Sequence, residues 1–190
     1  MNLPNFLTII RMALVPVFIV FFYFGQGGAQ IYSILAFAVF AIASATDAVD
    51  GHIARSRGLV TNFGKLMDPL ADKVLTTAAF IVFVDVGIVQ AWMVIVILAR
   101  EFIITGLRGV AASEGVVIPA GFSGKLKTVF QMVAICLILL DSAIGNGPAT
   151  HGIWLFVAGA GFVCLWVAVA LTVYSGVEYL WKGRKLLNMK

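Results

Sequence analysis

Long apolar runs separated by short polar turns set the pattern of this chain. About 20 apolar residues in a helix cover the hydrocarbon core of a bilayer. On that scale the pattern predicts six membrane-spanning helices, near residues 7–24, 30–57, 62–84, 91–111, 129–140 and 153–181. The fifth has room to begin as early as Ser123. Pro4 and Asn5 suggest a short interfacial segment before the first span, and Pro16 is expected to bend that span. The second run exceeds what a bilayer needs, so its end, carrying Asp47–Ala54, is expected to emerge near the membrane surface. Its centre, AFAVFAIASA, is rich in small residues that let helices approach closely in lipid. The expected fold is all-α: a polytopic membrane protein of six transmembrane helices with a short N-terminal interfacial segment, in a single domain spanning 1–190.

Composition supports this. The chain is 62% hydrophobic and 12% charged, with mean hydropathy +1.05; a soluble domain carries about 25% charged residues. The first run holds Arg11 and shows no small-residue cleavage site, so it is expected to be retained rather than removed. Cys136 and Cys164 each lie in an apolar run and read as buried small residues, with no disulfide framework. The net charge of +4 follows from topology. The turns near 25–29, 85–90 and 141–152 contain no Lys or Arg, and the cations gather toward the face of the termini. By the positive-inside rule, both termini are expected on the cytoplasmic side of a bacterial-type membrane. No soluble basic face with interleaved aromatics exists, which argues against nucleic acid as a partner.

One stretch departs from the pattern. DAVDGHIARSRGLVTNFGKLMDPLAD, Asp47–Asp72, places four carboxylates among apolar runs. Carboxylates are costly there and call for a shared reason. At about 100° per residue, Asp47, Asp50, Gly51 and Ala54 share one arc of a helix. Gly64, Asp68 and Asp72 stack four apart on a second helix. RSRGLVTN between them reads as a polar turn, with Gly58 as breaker and Thr61 or Asn62 as N-cap. Two acid faces on an antiparallel pair would repel unless cations lie between them. All-oxygen ligands favour a hard cation such as Mg²⁺, Mn²⁺ or Ca²⁺ over zinc. Such metals suit pyrophosphate chemistry, and lipid access implies a lipid substrate. The competing reading pairs these acids with Arg55, Arg57, Lys65 and Lys73 as structural ion pairs. Gly51 and Ala54 would leave a notch for a flat base or ribose, or simply allow close helix packing. Pro69 is expected to bend the third span between Asp68 and Asp72.

Two cations inside spans stay open. Arg11 either snorkels to the interface or serves a substrate. Arg100 pairs with an acid or points into a polar chamber, and Glu101, its sequence neighbour, is not expected on the same helix face.

The residues Asp47-x-x-Asp50-Gly51-x-x-Ala54-Arg55, eight intervening residues, then Gly64-x-x-x-Asp68-x-x-x-Asp72 resemble the signature of the CDP-alcohol phosphatidyltransferases at every fixed position. LPNFLTIIR, LAREFIITGLR and GKLKT are similar to the branch of that family that uses sn-glycerol 3-phosphate, so the resemblance covers nearly the whole chain. It implies CDP-diacylglycerol as donor, CMP as leaving group and phosphatidylglycerophosphate as product, with other membrane lipids around the site. It implies that Asp47, Asp50, Asp68 and Asp72 bind metal, Mg²⁺ or Mn²⁺ and two ions, and that Asp72 is also the catalytic base. It implies that Gly51, Ala54, Arg55 and Gly64 line the nucleotide site, and that the protein is a homodimer. An anionic acceptor needs cations; Arg108, Lys125 and Lys127 are the candidates, and plain positive-inside loop charge is the other account of them.

Other readings remain. Another acceptor, inositol phosphate or phosphatidylglycerol, would keep the same motif. An intramembrane prenyltransferase would need a second Asp-rich segment on another helix pair. A cation transporter would place acids near mid-membrane with paired broken helices in two halves. Here the acids cluster in one helix pair at one end.

Overall fold

The computed structural model describes residues 3–57, 62–113, 121–144 and 151–187. Side chains are described for these except at 3–5, 7, 47–57, 62–69, 72, 112–113, 151, 153–154 and 182–187. Every element in the described residues is helical: α1 Leu3–Gln26, α2 Gln30–Arg57, α3 Asn62–Asp85, α4 Ala91–Ser113, α5 Phe122–Ile144 and α6 His151–Leu187. These match the expected runs in number and order, and most ends fall within a few residues of expectation. Two differ more. The helix of α1 is continuous from Leu3, so Pro4 and Asn5 occupy its first turn, where proline is tolerated because the first N–H groups have no intrahelical partner. At the other terminus α6 runs through the WKGRK segment to Leu187.

Among the described residues, three helices are long and apolar enough to cross a membrane: Thr8–Gln26, Phe122–Ile144 and Leu155–Trp181. The apolar part of α2, Gln30–Thr46, is shorter. The charged residues of α3 and α4 keep those helices below the same apolar standard. With its hydropathy and family, described below, this makes the chain an integral membrane protein.

The core explains the arrangement. Phe18, Phe22, Phe40, Phe80 and Phe83 are buried together with Ala36, Ala43, Leu75 and Ala79. The Phe18 and Phe40 rings lie 5.7 Å apart and those of Phe22 and Phe83 5.6 Å apart, so α1 packs against both α2 and α3. α2 and α3 touch each other much less than either touches α1. Close approach of α1 and α2 depends on Gly25, where a Cβ would stand 2.5 Å from the Ser33 hydroxyl and 2.9 Å from its backbone nitrogen. Gly28 closes that turn at φ 94°, a conformation open to glycine. α5 packs along α6, and Gly161 sits 3.3 Å (at its virtual Cβ) from Leu137. α4 rests mainly on α6 and only lightly on α3. In lipid, close contact rather than water exclusion drives such packing. Large apolar side chains accordingly cover the outside, among them Phe102, Phe122, Phe156 and Trp181.

Candidate active site

The signature acids lie at one end of this bundle. Asp47 and Asp50 belong to the last three turns of α2; Asp68 and Asp72 belong to the first half of α3. The backbone is helical at all four, and through Pro69 as well. Their side chains, and those of Gly51, Ala54, Arg55 and Gly64, lie outside the described residues, as do residues 58–61, where the sequence predicts a turn. Among the residues whose side chains are described, no group of three His, Cys, Asp or Glu could hold a metal.

Among the polar side chains described within about a turn of the acid-bearing segments, in sequence or across α1 and α2, are Thr8, Arg11 and Lys73. Arg11 of α1 is 1% exposed, and its Nε donates to the Ala43 carbonyl of α2 at 3.2 Å. Ala43 lies one turn before Asp47, so the guanidinium is held inside the bundle and does not snorkel outward. Thr8, one turn earlier on α1, is equally buried. Lys73 follows Asp72, and its ammonium donates to the Thr105 hydroxyl of α4.

One turn deeper, a cleft opens between α3, α4 and α5. Its cavity has a volume of about 70 Å3. Phe80, Ile97, Leu98, Phe102 and Met132 form its apolar wall. The polar wall is Lys73, Thr76, Thr77, Glu101, Lys127, Thr128 and Gln131. Thr76 is four residues, one helical turn, beyond Asp72, so the cleft continues from the second acid pair along α3. Lys127 is 1% exposed and forms an ion pair with Glu101. Arg100 also contacts Glu101, with Nη1 to Oε1 at 3.1 Å. An ammonium this deep would be strongly disfavoured without such a counter-charge. Gln131 is buried, and its Nε2 has no hydrogen-bond partner in the protein.

The three cations expected at an acceptor site are therefore placed differently. Lys127 is at the cleft wall, buried and paired, and is no loop charge. Lys125, two residues earlier on α5, and Arg108 on α4 are exposed. Arg108 lies seven residues after Glu101, on the same stripe of α4, with Thr105 between them. That stripe leads from the cleft toward the end of the bundle that holds the acids. The Arg100–Glu101 contact corrects an expectation. Adjacent residues on a helix diverge by about 100°, but the long guanidinium folds back far enough to reach its neighbour. The Glu101–Lys127 pair joins residues 26 apart, and no local spacing signals it.

Four acids on two neighbouring helix ends, oxygen donors only, suit a hard divalent cation. The cationic cleft one turn away suits an anionic group. The arrangement can therefore hold a metal-bound pyrophosphate beside a second anionic substrate.

The sequence profile described as CDP-alcohol phosphatidyltransferase matches residues 1–174. The chain is 42% identical to the CDP-diacylglycerol–glycerol-3-phosphate 3-phosphatidyltransferase of Bacillus subtilis (strain 168), covering 98% of this chain and 99% of that protein. It is 39% identical to the Rickettsia bellii protein of the same name, over 94% and 93% of the two chains. It is also 41% identical to a probable phosphatidylglycerophosphate synthase of Mycobacterium tuberculosis (strain H37Rv), over 94% of this chain and 80% of the relative. With a profile match over most of its length and relatives of this similarity across nearly all of it, the chain belongs to the CDP-alcohol phosphatidyltransferase family.

Proposed function

We propose that this protein transfers the phosphatidyl group of CDP-diacylglycerol to sn-glycerol 3-phosphate, releasing CMP and forming phosphatidylglycerophosphate. The observation that carries the reading is the complete acid signature on α2 and α3, in a chain whose full-length relatives bear that activity in their names. The cation-lined cleft beside the second acid pair supports an anionic acceptor.

Asp47, Asp50, Asp68 and Asp72 would hold the metal, Mg²⁺ or Mn²⁺ and two ions. Bound there, divalent ions neutralise the pyrophosphate and stabilise the charge that develops as its bridge breaks. Gly51, Ala54, Arg55 and Gly64 receive the cytidine end. Asp72 takes the proton from the acceptor hydroxyl as that oxygen bonds to the phosphatidyl phosphorus. The bond from this phosphorus to the bridging oxygen breaks, and CMP leaves with that oxygen. Arg108, Lys125 and Lys127 meet the acceptor phosphate.

All six helices cross the membrane in this reading. α1, α5 and α6 are apolar enough to do so alone, and α2, α3 and α4 pack among them with short connections. The polar residues of α3 and α4 then face a chamber rather than lipid. Both termini and the site lie on the cytoplasmic side, and the protein acts as a homodimer. The test is product formation by purified protein: a lipid phosphomonoester should appear from CDP-diacylglycerol and sn-glycerol 3-phosphate, vanish with EDTA and return with excess Mg²⁺. Undiminished product after exhaustive chelation would overturn the metal reading.

A further inference from the structure

Lys127 is fully inside the protein, yet it lines the cleft, with its ammonium on Glu101, another lining residue. Something must fix it there, because a buried lysine without a counter-charge would lose its proton or turn outward. Glu101 supplies the counter-charge, from another helix. The same carboxylate oxygen that meets Lys127 also contacts Arg100 at 3.1 Å. Arg100 in turn is wedged. A Cβ at Gly124 of α5 would stand 3.1 Å from its Nη2, and a Cβ at Gly176 of α6 would stand 3.4 Å from its Cγ. Two glycines on two helices thus form a slot that the guanidinium stem fills. The Ser123 hydroxyl, beside Gly124, bonds Glu178 of α6 at 2.8 Å and closes the α5–α6 side of that slot. The chain of contacts runs from slot to Arg100, to Glu101, to Lys127, to cleft.

We propose that Glu101, held by Arg100 in the Gly124–Gly176 slot, is a positioning residue that fixes the Lys127 ammonium at the cleft wall for the anionic acceptor. The proposal rests on the reading of Lys127 as an acceptor-phosphate contact. Glu101 itself is an anion and does not bind the acceptor. Its charge offsets one cation of the group, so Lys73, Arg100 and Lys127 together still leave the cleft region net positive toward an incoming phosphate. A prepositioned ammonium binds without the rotamer cost that a free lysine would bear.

The experiment compares Michaelis constants of the purified full chain for sn-glycerol 3-phosphate and for CDP-diacylglycerol. Lys127→Gln should raise the acceptor KM about 10-fold, the scale of one charge-assisted hydrogen bond. Glu101→Gln keeps the shape but removes the charge, and should raise it by a similar factor. The double variant should be no worse than Lys127→Gln alone, since both act through one group. The KM for CDP-diacylglycerol should stay within about twofold throughout. Gly124→Ala reaches the same device without removing a charge and serves if Glu101→Gln does not fold. It crowds Arg100 and should raise the acceptor KM about 3-fold. Multiplying effects in the double variant, or equal rises for both substrates, would overturn the positioning role. So would a normal acceptor KM in Glu101→Gln, or in Gly124→Ala where that variant alone folds, beside a raised one in Lys127→Gln. An unchanged acceptor KM in Lys127→Gln would remove Lys127 from the acceptor site and this inference with it, while turnover with sn-glycerol 3-phosphate would leave the proposed activity standing.

Discussion

Where α1, α3 and α5 finish, the described polar contacts close the bundle and do little else. The Gln30 amide donates to the carbonyls of Ala143 and Ile144 at 2.9 Å each, capping the last turn of α5. The Tyr23 hydroxyl donates to the Asp85 carboxylate at 2.7 Å, joining α1 to the end of α3. The Gln30 contacts satisfy helix-end carbonyls, and the Tyr23 contact ties two side chains across helices. At the opposite end, where α2, α4 and α6 finish, cations are taken inside. Arg11 and Lys127 are almost wholly buried, and Glu101 is shared between two cations. Burying charge costs several kcal/mol per ion and rarely improves stability, so a bundle designed only to stand would not do it. In the function proposed above, the difference separates the end that holds the fold from the end that handles substrate.

The comparison breaks most sharply at the acids. Asp47→Asn, Asp50→Asn and Asp68→Asn should each lower CMP release by about 10³-fold at saturating Mg²⁺, whereas Asp85→Asn should stay within about twofold. Near-normal rates in the three signature variants would make those acids structural ion pairs.

Asp72 should behave differently from its three partners. Its amide variant can still offer a weak oxygen ligand but cannot accept a proton. Asp72→Asn should therefore retain metal-dependent binding of a CDP-lipid while turnover falls about 10²-fold. Equilibrium binding with and without Mg²⁺, set beside steady-state rates, checks this. Loss of binding as complete as in Asp47→Asn would mean that Asp72 is a ligand first and that another group is the base.

A smaller effect is expected above the cleft. Arg108→Ala or Lys125→Ala should raise the KM for sn-glycerol 3-phosphate about 5-fold and leave that for CDP-diacylglycerol nearly unchanged, because a contact to the acceptor phosphate adds binding for that substrate alone. Equal effects on both substrates would remove them from the acceptor site.

At the fold-holding end the expected change is in stability. Gln30→Ala should cost about 1 kcal/mol through lost hydrogen bonds to α5, with activity within about twofold. Thermal unfolding beside the rate assay measures both. A large loss of activity at unchanged stability would erase the contrast between the two ends.

Much of this arrangement is legible in the amino-acid order. Hydrophobic runs and turn residues mark all six helices, because an apolar run in a membrane protein has few alternatives to a helix. The motif from Asp47 to Asp72 falls on two successive helices, α2 and α3, as its spacing predicts. Three features were not legible for physical reasons. Whether Arg11 points in or out depends on α2 being close enough to offer the Ala43 carbonyl, a tertiary fact. The sequence offers Lys127 both as an acceptor contact and as plain topology charge, and its burial against Glu101 of α4 is a tertiary fact that neither account contains. The slot for Arg100 is made by glycines from two other helices, and Gly124 and Gly176 carry no pattern of their own.

Central to the proposed function is a pyrophosphate held through metal on the acids at one end of the bundle, with an anionic alcohol admitted beside it. The most direct measurement is CMP release from CDP-diacylglycerol by the purified protein, with Mg²⁺ present and one soluble or lipid alcohol supplied at a time. The account predicts rapid release with sn-glycerol 3-phosphate and at least about 10²-fold less with inositol phosphate, phosphatidylglycerol or glycerol, which a site built on phosphate contacts would bind poorly or in the wrong place. Comparable or faster release with any of these alternatives would contradict it.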